Sequence, residues 1–245
     1  MKLIDHKRYL LILAVLFFIW WLILAINPYY RQDWALENVV VGFAVLFIAA
    51  TYRKMPLSRI SYTLIFIFLC LHEIGAHYTY SETPYDEWFQ ALFGFSINQL
   101  LGLQRNQYDR VIHFLYGLLL AYPLRELFIR IAEVRGFWAY FLPLSVTMAF
   151  SALFELFEWA AALVFGGDLG IAYLGTQGDV WDSNKDMAMA GLGALIAMAI
   201  TALINFRLQR DFAREWNESL RVKKKQPLGE DAILRMLEEK KKENK

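Results

Sequence analysis

The sequence predicts an all-α polytopic membrane protein, a bundle of six transmembrane helices with both termini in the cytoplasm. Hydrophobic residues make up 58% of the 245-residue chain and aromatic residues 16%, more than a soluble domain of this length carries. Six apolar runs approach the roughly twenty residues needed to cross a ~30 Å hydrocarbon core. Basic residues collect beside alternate ends of those runs, as they do when Lys and Arg are held on the cytoplasmic side during insertion.

The runs occupy residues 9–26, 35–51, 60–78, 108–128, 137–165 and 185–206, and residues 1–206 are read as one transmembrane domain. The first follows a basic start, but it is long, its end (Ala25, Ile26, Asn27, Pro28) is a poor cleavage site, and five more runs follow. It reads as a retained anchor and not as a removable signal peptide. The short connection after it leads to the second run, and Arg53, Lys54 and Arg59 separate the second from the third. A long connection follows the third run and carries Trp88, Phe89, Leu92, Phe93 and Phe95 at helix-like spacing. Residues 84–100 are therefore expected to lie flat at the outer surface.

Arg125, Arg130 and Arg135 flank the turn between the fourth and fifth runs. The next connection, residues 166–182, is rich in glycine and free of Lys and Arg, which suits tight turns and close approach. Its Gly175 and Gly178 could present backbone N–H groups to a phosphate, although no strand or full phosphate-loop pattern accompanies them. Ala188, Ala190, Gly191, Gly193, Ala194 and Ala197 give the sixth run a small-residue face for close helix packing. Residues 207–245 form a charged cytoplasmic tail: a helix over 208–222, a basic break, and a second charged helix over 230–242, solvated beside anionic lipid.

The net charge of +1 conceals where the charges lie, because 21 Lys and Arg fall on the side of the termini and 4 on the other. The single cysteine, Cys70, excludes an intramolecular disulfide or a cysteine-based metal cage and reads as a small buried hydrophobe.

Ionisable groups at membrane depth are costly, and those present face a cavity, pair with one another or carry function. The third run ends in His72, Glu73, Ile74, Gly75, Ala76, His77 and Tyr78. The fourth opens with Tyr108, Asp109, Arg110, Val111, Ile112, His113 and Phe114. Glu155 and Glu158 stand in the second half of the fifth, and Asp179, Asp182 and Asp186 surround the start of the sixth. With the predicted topology all of these fall within about one to three turns of the outer boundary at ~1.5 Å per residue, so they are expected to share an external cavity.

Asp109 and His113 are four apart, Asp182 and Asp186 are four apart, and Glu155 and Glu158 are three apart, so each pair shares a helix face. Carboxylates and imidazole in that arrangement can bind a divalent ion. Harder ions favour the oxygens; zinc, iron and manganese accept the mixture. His72 and His77, five apart, lie on different faces, so the stretch is not a His-Glu-x-x-His protease helix. A buried ion-pair network with Arg110 and Lys185 is the structural alternative. Against it, seven carboxylates face these two bases, an excess that calls for shared protons or a bound cation.

The run His72 to Tyr78, the pattern Asn106-x-Tyr108-Asp109-Arg110-x-x-His113-Phe114 and the pattern Gly175-Thr176-Gln177-Gly178-Asp179-x-Trp181-Asp182 resemble the YjdF-like family of bacterial inner-membrane proteins, over most of the membrane portion. That resemblance implies a fold and a bacterial inner-membrane location but no mechanism. Asp109, His113, Glu155 or Glu158, and Asp182 or Asp186 are more weakly similar to the Asp-x-x-x-His, glutamate and aspartate positions of VanZ-like membrane proteins. The chain departs from that pattern in Asp186-Met187 and in its extra His/Glu motif.

The leading expectation is a site that binds a divalent metal (zinc, manganese or magnesium) and hydrolyses or modifies a lipid-linked substrate. Asp109, His113, Glu155 and Asp186 are the foremost ligand candidates, with Asp182, His77 and Glu73 also in reach. Glu158 or His72 would be the general base toward a water activated by the ion. The expected partners are membrane lipids and a lipid-linked substrate, with no nucleic acid. Two other classes compete. A proton- or ion-coupled transporter would use the same carboxylates as a relay, but the first two runs look almost uniformly apolar and no internal repeat is evident. A structural or accessory subunit would use them for folding alone.

Overall fold

The computed structural model describes residues 5–165, 176–223 and 229–243, and every regular element among them is helical. In chain order these are α1 (His6–Leu24), α2 (Arg31–Thr51), α3 (Arg59–Tyr78), a 3-10 turn (Tyr80–Glu82), α4 (Tyr85–Phe93), α5 (Ile97–Leu101), α6 (Tyr108–Ile131), α7 (Trp138–Phe165), α8 (Asp182–Leu208), α9 (Phe212–Ser219) and α10 (Glu230–Glu243). Residues 166–175, which include most of the glycine-rich connection and Gly175 itself, lie outside the described residues, as do 224–228 in the basic break.

Six helices, α1, α2, α3, α6, α7 and α8, are long and apolar enough to cross a membrane. Large apolar side chains such as Phe43, Leu46, Leu153 and Leu163 are exposed along their outer faces, where water would be unfavourable and lipid is not. The last residues of α1, α3 and α7 and the first residues of α2, α6 and α8 share one end of the bundle, called here the loop end; the opposite end is the termini end.

Helix α2 begins at Arg31, one turn before the apolar run that predicts it. The reason is that Asp33 and Glu37 point inward and are 2% exposed. A span judged by apolarity alone starts too late when its first turns carry buried carboxylates.

The core is centred on α6, which packs most extensively on α8. Ala121, Ala190 and Ala194 are fully buried there. Two glycines set the separation: a Cβ on Gly117 would lie 1.9 Å from the Ala190 carbonyl oxygen, and one on Gly193 would lie 2.0 Å from that of Phe114. The small-residue face of the sixth span therefore performs the close packing expected of it.

The connection between α3 and α6 holds two short helices with apolar side chains such as Leu92 and Phe93 exposed. Gly94, at φ 80°, ends α4, and Asp86 then holds the start of α5, accepting from Ser96 Oγ at 2.6 Å and from the Asn98 N–H at 3.0 Å. These bonds hold the Asp86 carboxyl below the usual carboxylate range.

The tail is also more integrated than a solvated helix. The chain breaks after Leu208, and α9 folds back beneath the α6–α7 turn. Phe212 and Trp216 pack on Tyr140 at ring distances of 6.2 and 5.7 Å. Glu215 accepts from the Gly136 N–H at 3.1 Å and Ser219 Oγ from the Phe137 N–H at 2.9 Å.

Candidate functional site

Arginine and aspartate build the outermost layer of the loop end. Arg105, in the connection before α6, donates through its two terminal nitrogens to Asp182 Oδ1 and Oδ2 at 2.5 and 3.1 Å, and to the Thr176 carbonyl at 3.1 Å. Arg110, in the first turn of α6, donates to Asp179 at 2.5 Å and to Asp182 at 3.1 Å. Lys185 reaches Asp179 at 2.6 Å. Charge-assisted, partly bidentate bonds of this kind are strong and directional, and here they latch the connections before α6 and α8 together. The Lys185 ammonium, the Trp181 N–H and Arg110 hold the Asp179 carboxyl well below its ordinary range.

One turn deeper, α6, α7 and α8 converge on a set with few donors. His113 Nε2 lies 3.3 Å from Glu155 Oε1 and 3.7 Å from Asp109 Oδ1, and His113 Nδ1 meets Ser151 Oγ at 3.5 Å. Asp109, Asp182 and Asp186 each bring a carboxylate oxygen within 4.8 Å of the others. Glu155 Oε1 and Asp186 Oδ1 are buried without a hydrogen-bond partner, and so is Arg110 Nε, which stands 3.9 Å from Asp186 Oδ1. Glu158, 8% exposed, sits in the same space, near enough to interact with Asp109 and Glu155.

A second limb runs along α2 and α3. The His72 Nε2 side faces the Glu37 backbone oxygen at 3.4 Å and its carboxylate at 3.8 Å. A carbonyl accepts only, so Nε2 carries the hydrogen; Nδ1 accepts, and the Tyr80 hydroxyl donates to it at 2.5 Å. Burial and surrounding carboxylates, Glu37 foremost, push the Tyr80 phenol well above its usual range, keeping it a donor. Glu73 is fully buried with neither carboxylate oxygen bonded. Tyr108 closes the limb, donating to the Leu71 carbonyl at 2.8 Å.

The structure thus brings together Asp109, His113, Glu155, Glu158, Asp182 and Asp186, and places His72 and Glu73 on the adjoining limb. It does not bring His77 into this group. Its Nδ1 bonds the Leu24 carbonyl at 2.7 Å and its ring packs on Tyr29 and Tyr78, so as a metal ligand it is corrected to a tie between α3 and the end of α1. A helix turns about 100° per residue, so five residues set His77 about 140° round from His72, while against Glu73, four residues away, the difference is one of depth: His77 sits a turn nearer the helix end, beside the end of α1. Asp182 is likewise committed to two guanidinium groups, which weakens it as a ligand. Both nitrogens of His72 are engaged, which leaves it no free lone pair to act as a base.

Four participants were not singled out from the sequence. Glu37 was hidden in a span read as apolar and Asp33 in the connection just before it, although carboxylates four apart at the start of such a run are themselves a signal. Arg105 lies in a loop and gave none. Tyr80 is brought back to His72 by the left-handed Thr79 at φ 55°.

Comparison with known proteins agrees with this architecture. No solved structure matches the chain. The chain is 39% identical over 188 residues, 76% of its own length and 86% of the relative's, to the "Inner membrane protein YjdF" of Escherichia coli (strain K12). With its six apolar helices, that similarity makes it a multi-pass inner-membrane protein. The likeness to VanZ-like proteins rests on the short motifs alone. Residues 9–207, which contain all six spans and the whole polar cluster, match the family described as "Predicted membrane protein (DUF2238)", and it is to this family that the chain belongs.

Proposed function

We propose that the loop-end cluster binds a divalent cation and acts on a lipid-linked substrate as a hydrolase or modifying enzyme. The observation that carries this reading is the pair of buried, unpartnered oxygens, Glu155 Oε1 and Asp186 Oδ1, beside His113 and Asp109. Carboxylate oxygens without donors in a low-dielectric interior need a positive partner, and the nearest bases are largely engaged by Asp179 and Asp182.

The donor set fits. Asp109, Glu155 and Asp186 offer oxygens and His113 offers Nε2 once its Nδ1–H is turned toward Ser151, the outer contact that orients a ligating imidazole. A mixed oxygen and nitrogen set favours zinc or manganese, with magnesium the harder alternative. When bound, such an ion supplies Lewis-acid polarisation and lowers the pKa of water. Glu158, buried beside the set, takes the proton of the attacking water. Arg110 keeps an unused, buried Nε–H donor 3.9 Å from Asp186 Oδ1, which offsets part of the negative charge of the set. Tyr80 and His72 fix the geometry of the adjoining wall.

With 21 basic residues on the termini side against 4, we infer that both termini are cytoplasmic and that the cluster faces outward.

The test is elemental mass spectrometry of the detergent-purified protein beside Asp109→Ala, His113→Ala and Asp186→Ala, each first shown to be folded. Near-stoichiometric metal in the wild type and its loss in the variants supports the reading and directs a screen of lipid-linked substrates. If no metal copurifies and zinc, manganese and magnesium all fail to bind, the enzyme reading is abandoned for a proton relay or a structural network.

A further inference from the structure

Helices α1 and α2 both pack on α3 yet stand apart from each other over most of their length. Between them lies an apolar cleft of about 640 Å³, floored by Phe66 and Leu69 of α3 and walled by Phe17 of α1 and Val45 of α2. The lining runs from Leu10 and Tyr52 to Trp21 and Asn38. On α1 that is twelve residues, about 16 Å of helix, and on α2 fifteen residues, about 21 Å, against a ~30 Å hydrocarbon core. The cleft therefore runs from the termini end past the middle of the bundle.

Its two ends differ in chemistry. Toward the loop end it is shut: Trp21 Nε1 donates to Asn38 Oδ1 at 2.5 Å, Asn38 donates to the Trp34 carbonyl at 2.8 Å, and the Trp21 and Trp34 rings meet at 5.7 Å. At the termini end the His6 ring packs on Tyr52 and Tyr62 at 6.4 and 5.8 Å. Lys7, one turn before Leu10, and Arg53 and Lys54, directly after Tyr52, are exposed around this mouth.

We propose that this cleft holds one acyl chain of an anionic phospholipid from the termini-side leaflet, with its phosphate at the Lys7, Arg53 and Lys54 rim. The wall is carbon along its length, the far end is closed by the Trp21–Asn38 bond, and the termini end carries the charge that complements phosphate; basic pockets between spans bind anionic headgroups in this way. The proposal is independent of the cation site.

Gly42 supplies the test, because a Cβ built on it meets nothing within 4 Å, so a larger side chain enters the cleft without striking the fold. Delipidated protein is incubated with phosphatidylglycerol or phosphatidylcholine and retained lipid is read by native mass spectrometry. The wild type is expected to retain one phosphatidylglycerol and to prefer it over phosphatidylcholine. Gly42→Trp lowers retention at least tenfold while the melting temperature in detergent and the metal content stay unchanged. Lys7→Gln, Arg53→Gln and Lys54→Gln combined remove the preference between the two lipids. Should Gly42→Trp not fold, Ala49→Leu narrows the same cleft about two turns nearer the termini end and gives the same readout. Equal retention of both lipids by the wild type, undiminished retention by the filled variants, or a dimer that Gly42→Trp dissociates would each overturn the proposal, the last by showing that a second copy covers the cleft.

Discussion

The Tyr80 ring crosses α3 directly over Gly75, and its hydroxyl reaches His72 Nδ1 at 2.5 Å. A Cβ on Gly75 would lie 2.6 Å from the Tyr80 ring, so the glycine is what lets the tyrosine return. Gly75→Ala is expected to destabilise by about 1–3 kcal/mol through overpacking, read by thermal or denaturant unfolding in detergent. In a Tyr80→Ala background the same change should cost almost nothing, and an undiminished cost there would remove Tyr80 from the explanation.

The α6–α8 contact tolerates less. Gly117 and Gly193 oppose backbone, which cannot swing aside as a side chain can. Gly117→Val or Gly193→Val should lose about 3 kcal/mol or more and show as poor yield and an early melting transition. Gly42→Ala, in open space, is the control that should melt as wild type does.

Asp179 makes a statement about pH. Its folded-state carboxyl is depressed by Lys185, the Trp181 N–H and Arg110, so its latch adds stability above the unfolded carboxylate range and loses it as pH falls through the lower folded value. Between neutral pH and about pH 5 the difference in melting temperature between wild type and Asp179→Asn should stay constant, then shrink in stronger acid. Lys185→Gln should move that shrinkage to higher pH. A difference that grows on acidification would contradict the latch.

If the cation site is occupied as proposed, a chelator should lower the melting temperature of the wild type, because a ligand that binds only the folded state stabilises it by mass action. Asp186→Ala should not respond. A shift of equal size in both would mean that the chelator acts elsewhere.

A reporter active only on the cytoplasmic side should be active when fused after Glu243 and silent in the connection between α4 and α5. The reverse pattern would invert the orientation and place the cluster at the cytoplasmic face.

Six spans and their order were legible in the sequence because lipid imposes one requirement on each span separately: enough apolar length to satisfy the hydrocarbon core, with every backbone hydrogen bond made internally. Asp109, His113, Glu155, Glu158 and Asp186 were legible for a related reason, since a charge at membrane depth is conspicuous wherever it stands in the chain. What each of them touches was decided only in the tertiary structure. His77 and Glu73 share one motif and one side of α3, yet a single turn along the helix puts His77 beside the end of α1, at the Leu24 carbonyl, and leaves Glu73 buried without a bond. Arg105, unremarkable in its loop, becomes the partner of Asp182 across 77 positions, and Tyr80 finds His72 only because Thr79 turns the chain and Gly75 leaves room. Hydropathy is a property of single segments; pairing depends on helix rotation and on the approach of α6 to α8, and neither exists until the bundle has packed.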